Sequence, residues 1–274
     1  MAPTADLFAV PTTIESIHNP RIKHTVRLRD SAARRDSGRI LIDGEREIAL
    51  ACRSGIVLET IFVGSDRASL DAMRRACEGD IEDRLQPVSS RVLDKICYGQ
   101  RAAAPVAVAL TPQRDLSDWQ WTAAELWGVF DQTEKPGNLG ACLRTASACG
   151  VAGVILTDPV CEPFNPNAIR ASRGTIFALP LLVTTRQEFQ ACCRSQGVPV
   201  WAARVEAVEP LWSEDFRSGG AVVFGSEAHG LEPQWRGADC RDFSIPMHGA
   251  SDSLNLSISA AVTMYEALRQ RQAS

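Results

Sequence analysis

Three stretches of this sequence combine small residues with polar side chains that could bind or activate a ligand. In SDSLNLSISAAVTMYEAL, hydroxyl and amide residues alternate with leucines at the start of a helical pattern: Ser251, Ser253, Asn255 and Ser257. Capping of the helix explains one of these residues, and both Ser253 and Asn255 fit that role. Backbone N–H groups at a helix start also attract anions. The remaining polar residues therefore predict a phosphate or carboxylate site at this helix start.

The second stretch, FDQTEKPGNLGACLRTASACG, carries an arginine on a helix rich in small residues. Gly137 and Gly140 permit a tight turn and a close approach of backbone. The helical period sets Arg144 on the same side as Gly140 and Ala148. An arginine on such a stripe can lie beneath a ligand or a neighbouring backbone. The alternative is an ordinary solvated arginine.

The third stretch, VVFGSEAHGLEP, sets a glycine directly after a strand pattern. Gly225 and Gly230 have the spacing of a phosphate-binding P-loop, but Leu231 and Glu232 stand where that loop has Lys and Ser or Thr. No G-x-G-x-x-G follows a strand pattern, so a nicotinamide-dependent oxidoreductase is disfavoured as well. Glu227 is either a site residue or a charge near a helix start.

The elements that must position these stretches form an α/β pattern. Apolar runs without inward and outward alternation are separated by helical patterns: LWGVF, GVILTD, PVWAA and AVVFG. Buried strands of this kind predict a mostly parallel sheet with helices on both faces, and ligands bind beyond the carboxyl ends of such strands. Helices are expected over residues 139–149 and 255–271. The core-facing side of the second is predicted from its apolar spacing to hold Leu254, Ile258, Val262 or Ala261, Tyr265 and Leu268.

The N-terminal part of the chain alternates helix and strand patterns on a smaller scale and is basic near its start. Over residues 21–39 only Asp30 and Asp36 oppose seven basic residues: Arg21, Lys23, Arg27, Arg29, Arg34, Arg35 and Arg39. A basic face of this kind indicates contact with RNA phosphates, and the alternative is a solvated charge run. We expect a flexible tail at 1–13, a small α/β RNA-binding domain at 14–110, a linker at 111–122 and a larger domain at 123–274.

Composition narrows the class of protein further. A length of 274 residues allows two hydrophobic cores, and a net charge of −4 argues against a chain that is basic throughout. Nine cysteines without a C-x-x-C pair predict reduced thiols rather than a disulfide framework or a zinc site. The sequence begins without a basic and apolar leader and has no apolar run of about 20 residues. A soluble protein that is not exported is therefore expected.

Taken in order, the three stretches resemble the motifs of SpoU/TrmH-type RNA ribose 2′-O-methyltransferases of the SPOUT superfamily. The resemblance lies in N-L-G-x-x-x-R-T-A at 138–146, F-G-S-E-x-x-G-L at 224–231, and I-P-M followed by S-L-N-L-S within 245–257. The linking IRASRGTIFALPL is also similar to that family, and the whole covers residues 126–271. SIHNPRIKHTVRLRDSAARRDSGRILIDGEREIALA resembles the ribosomal-protein-like substrate domain that precedes many of these catalytic domains.

The resemblance implies a C-terminal trefoil knot, S-adenosylmethionine as cofactor, and a homodimer with its active site near the subunit interface. Methyl transfer from a sulfonium demands no metal, and the reduced thiols expected from the cysteine pattern indicate a cytoplasmic location. Arg144 matches the catalytic arginine. Because a guanidinium stays protonated, stabilising charge on the 2′-oxygen is favoured over acting as base, and the second role stays open. The other polar motif positions are Asn138, Glu227, Ser253 and Asn255. The implied cofactor contacts are Gly225, Ile245, Leu254, Phe224 and Met247.

The basic positions implied in RNA contact include Arg170 and Arg173 in the linking motif, besides those of the N-terminal domain. A basic domain in front of the catalytic part resembles the layout of ribosomal RNA enzymes more than that of the shorter transfer RNA ones, which implies large-subunit ribosomal RNA as the substrate. Two alternatives stay open. One is methylation of transfer RNA, and the other is a catalytically silent RNA-binding or ribosome-assembly protein on the same scaffold.

Overall fold

A computed structural model describes residues 12–79, 81–98, 104–123, 125–237 and 239–272. The chain divides into two units. The first unit consists of Met1–Pro112 together with Phe164–Arg170, and the second unit consists of Gln113–Pro163 together with Ala171–Ser274. Most of the predicted flexible tail lies outside the described residues. Within the described ranges, no helix has the length and apolar character needed to cross a bilayer.

The first unit is built on a four-stranded mixed sheet in the order β1-β4-β2-β3, in which only β2 and β3 run parallel. Its elements are α1 (Pro20–Arg27), α2 (Ser31–Ser37), β1 (Arg39–Asp43), α3 (Glu45–Arg53), β2 (Leu58–Gly64), α4 (Arg67–Cys77), β3 (Leu85–Val88), α5 (Ser90–Ile96) and β4 (Val106–Leu110). The basic helix α1 begins where it does because the Asn19 side chain accepts a hydrogen bond from the Arg21 N–H and Pro20 fits the first helical position.

One of the predicted RNA contacts is wrong, because Arg34 is buried. Its exposed fraction is 4%. Its Nη1 donates to the carbonyl oxygens of Leu28 and Arg29, each at 2.8 Å. A guanidinium held in this way cannot reach a phosphate. Arg34 instead ties α2 to the turn that follows α1, since buried polar groups are retained where they are hydrogen-bonded.

The remaining elements lie between residues 126 and 272. They are β5 (Leu126–Asp131), α6 (Pro136–Cys149), β6 (Gly153–Thr157), α7 (Pro166–Ala171), α8 (Thr175–Ala178), β7 (Leu181–Thr184), α9 (Arg186–Gln196), β8 (Val200–Ala203), β9 (Gly220–Phe224), β10 (Cys240–Phe243) and α10 (Leu256–Gln272). The six strands of the second unit form one sheet in the order β10-β8-β9-β5-β6-β7. Every neighbouring pair in it is parallel.

Helices cover both faces of this parallel sheet. On one face, Trp127 and Val129 of β5 belong to a core that includes Phe189 of α9. On the other face, a Cβ atom at Gly128 would lie 2.6 Å from Cε of Met264, so this glycine lets α10 pack closely on β5. The predicted α/β class, with a mostly parallel sheet covered on both sides, is confirmed.

The predicted core-facing side of the last helix is wrong at two positions. Ile258 is 49% exposed and Tyr265 is 51% exposed. The buried side of α10 is formed mainly by small residues, with one methionine and one leucine: Leu256, Ala260, Thr263, Met264 and Ala267. Helix α6 packs along α10, and this close approach selects small residues rather than the largest apolar ones. The apolar stripe predicted from spacing therefore points away from the core of its own chain at Ile258 and Tyr265.

Candidate functional site

The three polar stretches all follow strands of the parallel sheet at their carboxyl ends. The stretch that contains Asn138 follows β5, the stretch that contains Glu227 begins where β9 ends at Phe224, and the stretch that contains Asn255 follows β10. Asn138 Nδ2 donates to Glu227 Oε1 at 2.7 Å, and Asn255 Nδ2 donates to Asn138 Oδ1 at 3.3 Å. One residue from each stretch is thus joined in a hydrogen-bonded row, although the three are far apart in sequence.

Asn255 also caps the last helix. Its Oδ1 accepts hydrogen bonds from the backbone N–H of Ser257 at 2.9 Å and from the Ser257 hydroxyl at 2.7 Å. Of the two capping candidates, the structure therefore selects Asn255. Ser253 stays exposed and lines a cavity instead. One side chain thus fixes the start of α10 and joins the row to Asn138.

The turn after β9 folds back tightly on itself. Ser226 and Gly230 exchange both backbone hydrogen bonds, at 3.1 and 3.0 Å. A Cβ atom at Gly225 would lie 2.1 Å from the carbonyl carbon of Gly230 and 2.4 Å from the backbone nitrogen of Leu231. Only glycine fits this contact between the outgoing and returning parts of the turn. The glycine spacing thus serves a closed turn and not a P-loop.

Two cavities adjoin this turn and contain all five predicted cofactor contacts. Phe224, Gly225 and Leu254 line a cavity of about 330 Å³, together with Ser253 and Glu227. Ile245, Met247 and Leu254 line a smaller cavity of about 60 Å³. Leu254 belongs to both cavities, so the smaller one extends the larger. A third cavity of about 440 Å³, between α9 and residues 234–240, contains none of the predicted site residues.

Glu227 has one carboxylate oxygen hydrogen-bonded and the other buried without a partner among the described residues. Oε1 accepts the hydrogen bond from Asn138, whereas Oε2 is buried and has no hydrogen-bond partner among the described residues. Burial, reinforced by the nearby Glu227 carboxylate, raises the pKa of Cys161 to about 11. That thiol stays protonated at neutral pH and is not a nucleophile. Glu227 is thus held by Asn138 through one oxygen, and its second oxygen is enclosed by the protein.

Arg144 is exposed on α6 and forms no hydrogen bond or ion pair with the part of the chain that the structure describes. It is absent from the described lining of the cavities beside the Gly225 turn. The close backbone neighbour expected for its stripe is found at Gly140, where a Cβ atom would lie 2.6 Å from the carbonyl carbon of Ala171 and from the backbone nitrogen of Ser172. The structure thus joins Asn138, Glu227 and Asn255, but leaves Arg144 apart on an open surface of the same helix.

The predicted RNA contacts fall into two groups. Four have exposed side chains that make no hydrogen bond or ion pair with any described residue: Lys23, Arg27, Arg35 and Arg173. Three others bind the protein itself. Arg21 donates to Gln86 Oε1 at 2.6 Å, Arg29 to the Lys95 carbonyl at 2.9 Å, and Arg170 to the Tyr98 carbonyl at 3.0 Å.

Sequence analysis missed Arg204, which lines both cavities beside the Gly225 turn. Its only signal in the sequence is a charged residue directly after the strand pattern PVWAA. No group of three or more His, Cys, Asp or Glu among the described residues could hold a metal ion.

Comparison with known proteins decides the family. The model of the SpoU rRNA Methylase family matches residues 126–265, which include the whole hydrogen-bonded row. The chain belongs to the SpoU rRNA methylase family. The model of the MRM3-like substrate binding domain matches residues 19–107 of this SpoU methylase. The resemblance seen in the sequence is thereby confirmed.

Individual relatives extend over most of this SpoU methylase. It is 36% identical to the 23S rRNA (guanosine-2′-O-)-methyltransferase RlmB of Xylella fastidiosa, over 74% of the chain and 83% of the relative. It is 30% identical to an uncharacterized tRNA/rRNA methyltransferase of Synechocystis, over 96% and 95%. The crystal structure of the AdoMet-bound rRNA methyltransferase from Sinorhizobium meliloti superposes with a TM-score of 0.85 and 25% identity, over 94% of this chain and 97% of that one.

Proposed function

We propose that the protein transfers a methyl group from S-adenosylmethionine to a ribose 2′-hydroxyl of large-subunit ribosomal RNA. The observation that carries the proposal is the hydrogen-bonded row of Asn138, Glu227 and Asn255, of which Glu227 lines a cavity at the carboxyl ends of parallel strands. Family membership and relatives named as 23S rRNA 2′-O-methyltransferases support the same reaction.

The residues of the cavity fit the cofactor. The Gly225 turn forms part of the wall of the larger cavity, and Leu254, Ile245 and Met247 supply apolar surface. When bound, S-adenosylmethionine supplies a methyl group already activated by its sulfonium charge. No metal is needed for this chemistry.

The protein's own task is alignment and charge stabilisation, because a ribose hydroxyl is a weak nucleophile at neutral pH. We assign the Arg144 guanidinium to the RNA phosphate and to the negative charge that develops on the 2′-oxygen. Its exposure leaves it open to a large ligand. Ser253 is assigned to the RNA backbone. Asn138, Glu227 and Asn255 hold the three loops in one arrangement, since each bond of the row joins two of them.

We propose that the first unit binds RNA through the exposed basic residues of α1 and α2. Lys23 and Arg27 are four residues apart on α1 and so share one face, and Arg35 of α2 is also exposed. Each phosphate neutralised on a duplex adds about 0.9 to the slope of log affinity against log salt. Arg173 of the second unit is a further exposed candidate.

We also propose that the protein is a homodimer and that the outer side of α10 forms its interface. Ile258 and Tyr265 are seven residues apart and lie on one side of the helix, where each is half exposed. Large apolar side chains on one face of a helix are typical of a protein interface. We further propose that the C-terminal part of the chain is tied in a trefoil knot, and family membership supports this. Because the proposed substrate is ribosomal RNA, we propose a cytoplasmic location.

Replacing Tyr265 or Ile258 by glutamate is expected to convert the dimer to a monomer, because each change would bury an unpaired carboxylate in the interface. Light scattering coupled to gel filtration measures the mass. Val208→Glu is the matched control, since Val208 is an almost fully exposed apolar residue elsewhere in the same unit and its variant should stay dimeric. A wild-type monomer, or a dimer that survives both α10 changes, would contradict the interface.

The proposed reaction is tested with labelled S-adenosylmethionine. Equilibrium dialysis should show one cofactor bound per chain, and incubation with RNA lacking modification should label large-subunit ribosomal RNA. Mapping of 2′-O-methyl groups by resistance to alkaline hydrolysis then locates the nucleotide. Absence of cofactor binding would favour the silent RNA-binding protein. Label found only in transfer RNA would favour the transfer RNA alternative.

A further inference from the structure

The Arg204 side chain connects the edge of the parallel sheet to the turn that lines the cavity. Arg204 is 6% exposed and directly follows β8. Its Nε donates to Asp242 Oδ1 on β10 at 3.1 Å. Its Nη1 donates to the Leu231 carbonyl at 2.7 Å and its Nη2 to the Glu232 carbonyl at 3.1 Å. All three nitrogens of the planar guanidinium are therefore hydrogen-bonded, one to β10 and two to the backbone of residues 231 and 232.

These bonds act on the returning part of the Gly225 turn. The outgoing part is fixed by Gly225, which packs against the peptide between Gly230 and Leu231. Arg204 holds the carbonyl oxygen of that same Leu231. The backbone N–H of Arg204 itself donates to the Phe243 carbonyl at 2.8 Å, so the base of the side chain is anchored on β10 as well. The turn is thus clamped between a glycine on one side and a rigid arginine on the other.

We propose that Arg204 is a positioning residue for the cofactor turn: it fixes the Leu231 and Glu232 carbonyls against β10, so that the cavity wall is formed before S-adenosylmethionine binds. This inference rests on the proposed function. A wall that is already ordered lowers the conformational entropy lost on binding and so strengthens binding. Arg204 acts through the turn and has no part in the transfer of the methyl group.

The geometry calls for arginine and not merely for a positive charge. A guanidinium presents its N–H groups in a fixed planar fork, whereas a lysine ammonium is a single compact donor on a flexible stem. Lysine at this position cannot reach Asp242 and both carbonyls in the same arrangement. Arg204→Lys keeps the buried charge while losing the fork. This variant therefore distinguishes the positioning role of Arg204 from its contribution to the balance of buried charge.

Arg204→Lys is expected to raise the dissociation constant for S-adenosylmethionine about 10-fold, and Arg204→Met further, since each lost bond is a charge-assisted one. Isothermal titration calorimetry, well below the unfolding temperature of every variant, measures this constant. Hydrogen exchange of the Ser226 and Gly230 amides in the free protein should become faster in both variants. With saturating cofactor the maximal methylation rate of Arg204→Lys should stay near that of the wild type, so the loss falls on KM.

Arg34→Lys is the matched control. Arg34 is similarly buried and also donates to two successive carbonyls, but it lies in the first unit. This variant should keep the wild-type cofactor affinity even if its unfolding temperature falls. If Arg204→Lys binds the cofactor as tightly as the wild type, with unchanged exchange at Ser226 and Gly230, the inference is overturned, and the same holds if Arg34→Lys weakens binding equally. Wild-type protein that binds no S-adenosylmethionine would instead overturn the proposed function.

Discussion

Arg144→Ala is expected to lower the rate of methyl transfer by about 10² to 10³ and to leave the affinity for S-adenosylmethionine unchanged. The reason is that its guanidinium is assigned to charge that develops only during the reaction. Because Arg144 is exposed and forms no bond with the described part of the chain, its removal should not alter the free energy of unfolding. Single-turnover methylation at saturating cofactor measures the rate, and calorimetry measures the affinity.

Two further variants make this expectation specific. Arg144→Lys keeps a positive charge without the planar fork, so a rate between those of the wild type and Arg144→Ala is expected. Arg217→Ala is the control, since Arg217 is an exposed arginine of the same unit that pairs only with its neighbour Asp215. Near-normal single-turnover methylation by Arg144→Ala would remove Arg144 from the mechanism. A loss of equal size in Arg217→Ala would point to a general effect of surface charge on RNA binding.

The parts of the fold that could be predicted from the sequence are those set by local patterns. Buried strands such as LWGVF have no polar alternation, and the structure finds β5 buried along its whole length. The last helix begins within one residue of the expected position because Asn255 caps it. Helix α6 begins earlier than expected, at Pro136, because proline fits the first turn of a helix.

The parts that could not be predicted depend on contacts between distant segments. Helical spacing identifies the apolar stripe of α10, but it cannot tell which side the neighbouring helix α6 will cover. Charge composition identifies a basic segment, but it cannot tell that Arg34 will bind two carbonyls inside the unit. In both cases the local pattern was present and the packing partner, which decides burial, was not visible in the sequence.

The predicted linker is a further segment whose burial could not be predicted from its local sequence. Pro112 and a polar cluster indicate an interruption of the pattern over 111–122, yet Trp119 is buried in the core of the second unit. Its ring lies 5.5 Å from that of Trp127 and 5.7 Å from that of Phe189, measured between centroids. Aromatic side chains contribute large buried areas even in segments without regular structure. Composition alone therefore overstates how free this segment is.

More of the candidate site than of the packing could be predicted from the sequence, because a glycine in a tight turn and an amide at a helix start are required by the local backbone. Gly225 is required by the contact with the Gly230–Leu231 peptide, and Asn255 by the helix start. Arg204 was missed because nothing local distinguishes a buried arginine from a solvated one. Residues whose role is set by a local turn or helix start are thus easier to find in the sequence than an arginine whose partners lie on distant segments.

Asp131→Ala is expected to lower the free energy of unfolding by about 3 kcal/mol, as the loss of one partner from a buried ion pair does. Asp131 is 1% exposed at the end of β5. Its carboxylate accepts hydrogen bonds from Arg186 Nη2 at 3.0 Å, Trp235 Nε1 at 3.0 Å and the Thr157 hydroxyl at 2.7 Å. Alanine would leave the buried Arg186 with only the Glu232 carboxylate as ionic partner, at 2.8 Å. Urea unfolding followed by tryptophan fluorescence measures the change.

The contribution of the buried charge can be separated from that of packing. Asp215→Ala removes a carboxylate whose pair with Arg217 is fully in solvent, so its unfolding curve should match that of the wild type. Adding Arg186→Met to Asp131→Ala removes the uncompensated charge and should restore part of the lost stability, because the two residues act as one unit. If Asp131→Ala is as stable as Asp215→Ala, or if the double variant is less stable than Asp131→Ala alone, the network does not stabilise the carboxyl end of β5 through this ion pair.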